Sequence, residues 1–122
     1  MTHARRVLGQ AGETAAAGAL ERAGLRVIER NVRFPHGEID LVCRDGDVWV
    51  FVEVKCRQPG WVESPGAAVS WRKQRRLTRL AQHYLKWRRL RDARCRFDVV
   101  EVTIDGGGVQ VRHLPGAFDA SR

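Results

Sequence analysis

Asp47-Val48-Trp49-Val50-Phe51-Val52-Glu53-Val54-Lys55-Cys56 is the stretch on which the fold turns. Val48, Val50, Val52 and Val54 alternate with Trp49 and Phe51, so a strand of period two is apolar on both faces. Such a strand belongs in the middle of a sheet covered by helices. Then the pattern breaks. Glu53 and Lys55 fall on the face begun by Trp49 and Phe51 and set a carboxylate and an ammonium group side by side. Burying either without a partner is costly, so they pair with each other or face a cleft.

Working upstream, Asp45-Gly46 reads as a hairpin turn. Residues 38–44 read as the preceding strand, with Ile39, Leu41 and Cys43 on one face and Glu38, Asp40 and Val42 on the other. With Asp45 and Gly46 as the turn residues, Arg44 faces Asp47, and Asp40 lies opposite Phe51, one diagonal step from Glu53 on the same face. Two carboxylates and one lysine then converge at one end of the hairpin. One basic residue cannot neutralise two carboxylates, so a divalent cation is the natural completion. Asp40, Glu53 and the Val54 backbone carbonyl form an oxygen donor set suited to Mg2+, with Mn2+ as a substitute. A cation there can clamp a scissile phosphate and acidify a bound water, and Lys55 can orient that water or stabilise charge developing on phosphate. Hydrolysis of a phosphodiester needs these parts and no organic cofactor.

The rest of the chain supports a sheet of this kind. Residues 9–23 read as a helix with Ala16, Ala19, Leu20 and Ala23 on its apolar face, stopped by Gly24. Glu13 projects near that face and is a fourth candidate for the catalytic group, and Gly9 and Gly12 allow close approach of the helix to the sheet. Residues 25–34 read as a strand, and Pro35-His36-Gly37 as a turn. After a loop over 57–65 containing Trp61, a long helix is predicted over 67–91, with Leu77, Leu80, Ala81, Tyr84 and Leu85 as its apolar stripe. Residues 96–104 give a fourth strand, and 109–114 a short edge strand after Asp105-Gly106-Gly107-Gly108. The second helix is long enough to be a crossover, which makes the fourth strand parallel to the third. The expected fold is α/β, with an αβββαβ core and a mixed sheet flanked by helices.

Composition bounds the function. The 122 residues suit a single domain over 1–122, and 43% hydrophobic residues suffice for a packed core. No run of 18 apolar residues exists, and no apolar stretch follows the basic N-terminus; the expectation is a cytoplasmic protein with no membrane partner. Cys43, Cys56 and Cys95 are odd in number and widely spaced, so they read as small buried hydrophobes rather than a disulfide framework or zinc site. The net charge is +8, and from Arg57 to Arg96 twelve basic residues stand against Glu63 and Asp92. With acids nearly missing, pairing within the helix cannot account for these cations. Arg72, Lys73, Arg76 and Arg79 are therefore candidate phosphate contacts for nucleic acid, with DNA expected. Trp71 and Trp87 suit base stacking, although core or dimer packing is the plainer reading. His36, His83 and His113 show no ligand spacing, Asp98 reads as a structural pairing partner, Glu38 as a solvated residue beside a turn, and Trp61 as a surface-loop residue or a cover for the site.

Gly37-Glu38-Ile39-Asp40-Leu41-Val42 followed by Phe51-Val52-Glu53-Val54-Lys55 resembles the D…ExK pattern of the PD-(D/E)XK nuclease superfamily, with Ile39 where that pattern has proline. With Gly12-Glu13 upstream and Arg96-Phe97-Asp98-Val99-Val100 downstream, residues 9–118 resemble the YraN-like (UPF0102) family, which is similar to archaeal Holliday-junction resolvases. The resemblance implies a restriction-endonuclease-like fold, a Mg2+-dependent endonuclease acting on branched or structured DNA, and a homodimer by analogy with the resolvases. The alternative expectation is a non-catalytic nucleic-acid-binding module that keeps the nuclease fold.

Overall fold

The computed structural model describes residues 3–57 and 70–119, with side chains from Gly9 onward. A helix, α1 (His3–Arg22), is followed by three strands, β1 (Arg26–Phe34), β2 (Gly37–Asp45) and β3 (Val48–Arg57). A second helix, α2 (Trp71–Trp87), leads to β4 (Cys95–Asp105) and β5 (Gly108–Phe118). The five strands form one sheet in the order β1-β2-β3-β4-β5. Only β3 and β4 run parallel; the other neighbours are antiparallel. This is the αβββαβ, mixed-sheet, restriction-endonuclease-like core expected from the sequence, with β5 added at one edge.

β3 divides the core as its alternation requires. Val50 and Val52 pack with Leu41, Cys43, Val100, Val102 and the α1 residues Ala16, Ala17 and Leu20. Trp49 and Phe51 pack with Val42, Phe97 and the α2 residues Leu77, Leu80, Ala81 and Tyr84. The buried stripe of α1 is Ala16, Ala17 and Leu20, not the expected Ala16, Ala19, Leu20 and Ala23. Alanines are too small to dictate which of several faces turns inward; Leu20 and the approach at Gly12 set the rotation. At Gly12 an added Cβ would collide with Cys56 Sγ on β3, so only glycine lets the helix come this close. Gly9 has no such neighbour.

The hairpin register differs from expectation. Asp45 pairs with Val48, which makes Gly46 and Asp47 the turn residues and places Phe51 opposite Val42 rather than Asp40. Gly46 adopts φ 62°, as a two-residue loop opening on glycine demands. The correction is a slip of two residues, so the paired residues 41–45 keep their faces.

α2 ends earlier than the predicted 67–91, and residues 67–69 of that prediction lie outside the described residues. The Ser70 side chain accepts a hydrogen bond from the Lys73 N–H and caps its start. Arg88 is the C-cap and Arg89 has φ 56°, a conformation that cannot continue a right-handed helix. β5 is longer than the predicted 109–114 and contains Pro115, which an edge strand tolerates because one side of its ladder is unpaired. Cys43 is buried and Cys56 half-buried, but Cys95 is exposed at the start of β4, against the expectation of a buried hydrophobe. All three thiols are free. Among the described residues, no helix is long and apolar enough to cross a membrane.

Candidate active site

The polar end of β3 sits where the β2–β3 ladder stops, at the Leu41–Val52 pair. Beyond it, a carboxylate oxygen of Asp40 accepts a hydrogen bond from the Val54 N–H at 2.8 Å. The side chain thereby takes the place of a backbone carbonyl and ties β2 to the segment between Glu53 and Lys55. Extending the observed register brings Asp40 level with Glu53, closer than the diagonal expected from the sequence.

A second irregularity lies next door. Val32 on β1 and its partner Ile39 on β2 pack in the α2 cluster, whereas Leu41 packs in the α1 cluster. Ile39 therefore departs from the face it was expected to share with Leu41 and Cys43. Asn31, at φ 54°, lies between Val32 and Arg30, whose guanidinium donates to Thr14 on α1. Positive φ at a non-glycine residue turns the strand about its axis and is most readily adopted by Asn and Asp. The Asn31 amide uses this turn to donate to Glu13 and to Glu38, each at 2.8 Å.

The result is a cluster of acids from three elements. Glu13 of α1 and Glu38 and Asp40 of β2 each offer an oxygen, all within 4.8 Å of one another. Burial, reinforced by the charge of Glu53 and more weakly of Glu13 and Glu38, raises the Asp40 carboxyl from 3.8 to about 7; the Val54 hydrogen bond opposes the shift but does not cancel it. Burial also raises Glu53, while the positive charges of Arg76, Lys73 and Lys55 pull it back down. The Cys56 thiol is raised by burial and by Glu13 and Asp40, which places it beside the same acids. The arrangement therefore gathers acids around Asp40 and brings the cations of α2 and β3 to bear on Glu53.

The sequence-predicted residues fare as follows. Asp40 and Glu13 come together in the cluster with Glu38, and the charge of Glu53 acts on Asp40 from outside it. Lys55, Lys73 and Arg76 exert their charge on Glu53. Arg72 and Arg79 lie on exposed parts of α2. Glu38, read as solvated, stands within the acidic cluster, 3.9 Å from Arg33 on its open side. Asn31 had no signal in the sequence, since a strand asparagine with positive φ looks like any other polar residue. Trp61 and Glu63 lie outside the described residues. Asp98 is a structural pairing partner, as expected. It is fully buried and receives Arg96 through two hydrogen bonds of 2.9 and 3.0 Å, the Gly116 N–H at 3.0 Å and His113 at 2.7 Å. His113 is thus a partner of Asp98 rather than an incidental residue.

Fold and cluster together define a class: an α/β protein with a restriction-endonuclease-like core that gathers acids where β2 and β3 separate. Residues 12–102 match the model of the uncharacterised protein family UPF0102, and the chain belongs to that family. It is 52% identical over 116 residues to a UPF0102 protein of Symbiobacterium thermophilum, covering 94% of this chain and 98% of that one. It is 46% identical over 119 residues to one of Syntrophotalea carbinolica, covering 98% and 97%. A protein of Moorella thermoacetica is 47% identical over 122 residues, covering 97% and 100%. Among solved structures, the chain is similar to Pyrococcus furiosus SfsA in complex with Ca2+, with a TM-score of 0.43 and 19% identity. That match covers 92% of this chain and 64% of the other.

Proposed function

We propose that this protein is a metal-dependent endonuclease that hydrolyses phosphodiester bonds in branched or otherwise structured DNA. The observation that carries the reading is the cluster of Glu13, Glu38 and Asp40, whose oxygens lie within 4.8 Å of one another at the end of the β2–β3 ladder. The donor set fits a hard divalent cation. It consists of oxygens, carries excess negative charge, and draws on α1 and β2, with Glu53 of β3 adjoining. Asp40, Glu53 and the Val54 carbonyl are the proposed ligands of Mg2+ or Mn2+, with Glu13 and Glu38 supporting them. When bound, the cation supplies Lewis acidity toward a phosphoryl oxygen and toward water.

The chain's own residues do the rest. Lys55, two residues beyond Glu53, holds a proton-bearing cation where charge develops on phosphate. Lys73 and Arg76 hold the phosphate backbone near Glu53, and Arg72 and Arg79 extend the contact along α2. Asn31 fixes Glu13 and Glu38 through its amide.

The test is cleavage of four-way junction, forked and duplex DNA in Mg2+ by the wild type, Glu53→Ala and Lys55→Ala. Both variants should lose cleavage and keep DNA affinity; loss of affinity in parallel with cleavage would count against the reading. A second reading, a binding module that does not cut, is favoured by α2 itself, which has six Lys and Arg residues and no acid between Trp71 and Trp87. Salt-sensitive DNA binding with no metal-dependent cleavage of any of the three substrates would select it.

A further inference from the structure

Three aromatic rings form a column beside the proposed site. Phe34, at the end of β1, stacks on His83 of α2 with centroids 4.3 Å apart and planes 20° from parallel. His36, in the turn between β1 and β2, stacks on the same His83 at 5.4 Å and 13°. Both imidazoles are exposed. Together with Arg79, Gln82, Lys86 and Trp87 they line an open cavity of about 650 Å³. Trp87 is 61% exposed, and its indole meets the edge of Tyr84 at 5.9 Å. Among the described residues, the lining contains two cations and no acid.

This combination is selective. Planar rings open to solvent offer a π-face to another flat ring, and every nucleobase has one. Arginine and lysine at the rim meet phosphates on either side of such a base. A base paired within a duplex presents its edge, not its face, so only an unpaired base can use the column. The volume lies within the range of about 300–1,000 Å³ typical of small-ligand sites. The stack also stands close to the acids: Gly37, next to His36, packs against Leu80 and Arg76, and from His36 to Asp40 is roughly 13 Å of extended strand.

We infer that the His36–His83–Trp87 cavity receives an unpaired base of a single-stranded DNA segment, with Arg79 and Lys86 on its flanking phosphates. The inference deepens the nuclease reading and rests on it for its biological sense, because it specifies a substrate with a single-stranded arm beside the cleaved bond.

The experiment is fluorescence anisotropy in EDTA, with a labelled ten-nucleotide oligothymidylate and an abasic chain of the same phosphate count. The proteins are the wild type, His36→Ala and Trp87→Ala, with circular dichroism to confirm folding. The wild type should bind the thymidylate about 10-fold tighter or more than the abasic chain. Each variant should narrow that gap while leaving abasic affinity unchanged. Equal affinity for the two chains in the wild type, or a gap that neither folded variant narrows, would overturn the inference. No cutting occurs in EDTA, so the nuclease reading stands or falls on the cleavage assay alone. A gap without any cleavage would sink only the nuclease; cleavage without a gap would sink only this cavity's role.

Discussion

The Val54 N–H donates to the Asp40 carboxylate at 2.8 Å, so one acid of β2 is bound to the backbone of β3 between Glu53 and Lys55. This bond holds the acid in place although its surroundings disfavour its charge. The tension between the two has a measurable consequence.

The folded-state carboxyl of Asp40 is raised from 3.8 to about 7, chiefly by burial and then by Glu53. A carboxyl raised on folding binds more protons folded than unfolded in this window. Its contribution to the stability of the metal-free protein is therefore largest below about pH 4 and is lost as pH rises toward 7. Asp40→Asn in EDTA should be more stable than the wild type at pH 8, by on the order of 1–3 kcal/mol, and equal to it near pH 4. Urea unfolding at the two pH values measures this. A variant less stable at pH 8 would show that the Val54 hydrogen bond outweighs the crowding of acids.

Cation affinity follows from the same group. Protons and Mg2+ compete for Asp40, so binding followed by calorimetry should weaken as pH is lowered through about 7. Asp40→Asn combined with Glu53→Gln should abolish binding. Undiminished binding in the double variant would place the cation elsewhere.

Gly12 and Cys56 should show strong coupling. Gly12→Ala drives a Cβ into Cys56 Sγ and should cost about 1–2 kcal/mol, despite alanine's better helix propensity. In a Cys56→Ala background the collision is gone, and the same change should stabilise by about 0.5–1 kcal/mol. Thermal melts of the four proteins give the coupling; additive effects would mean that the helix does not approach the sheet this closely.

Asp98 is the opposite of Asp40. Burial pushes its carboxyl up, but Arg96, the Gly116 N–H and His113 more than offset burial and hold it below 3.8. Such a group stabilises the fold above its unfolded value and loses that contribution as pH falls through the lowered one. Asp98→Ala leaves Arg96 with Asp45 alone, 2.9 Å away, and should cost about 1.5–3 kcal/mol at pH 7. The cost should shrink in acid below pH 3.8. Asp98 is not a member of the Glu13–Glu38–Asp40 cluster, so Mg2+ affinity should be unchanged in any folded fraction.

Lys73 and Arg76 provide a check on the DNA face. Replacing either with alanine should weaken binding of all DNA sequences alike and reduce the slope of log affinity against log salt by about 0.7–0.9. A sequence-dependent loss would point to base reading instead.

Much of this was legible in the residues. The double apolar alternation of β3 predicted a central strand, and the hairpin reading brought Asp40 near Glu53, whose charge acts on it. The hairpin register was not legible, because Asp45-Gly46 and Gly46-Asp47 both make acceptable turn pairs, and a slip of two leaves the hydrophobic pattern unchanged. Glu38 and Asn31 were missed for a different reason. Their meeting depends on a positive φ at Asn31 and on the turn it imposes on β1, neither of which leaves a mark on periodicity. His83 and Trp87 stand one helical turn apart on α2, but His36 is far from both in the chain; only the packing of α2 against the β1–β2 turn brings the three to one cavity.

By itself, then, the sequence determined the order of elements, the crossover that makes β3 and β4 parallel, and the choice of acids and cations at the end of β3. These follow from local periodicity and turn chemistry, which act over a few residues. Tertiary structure alone decided which acids lie within 4.8 Å of each other, which helix face is buried, and that Asp40 is raised while Asp98 is lowered. Those outcomes depend on burial and on charges from other elements, and electrostatic energy inside a protein is set by distance and solvent access rather than by position along the chain.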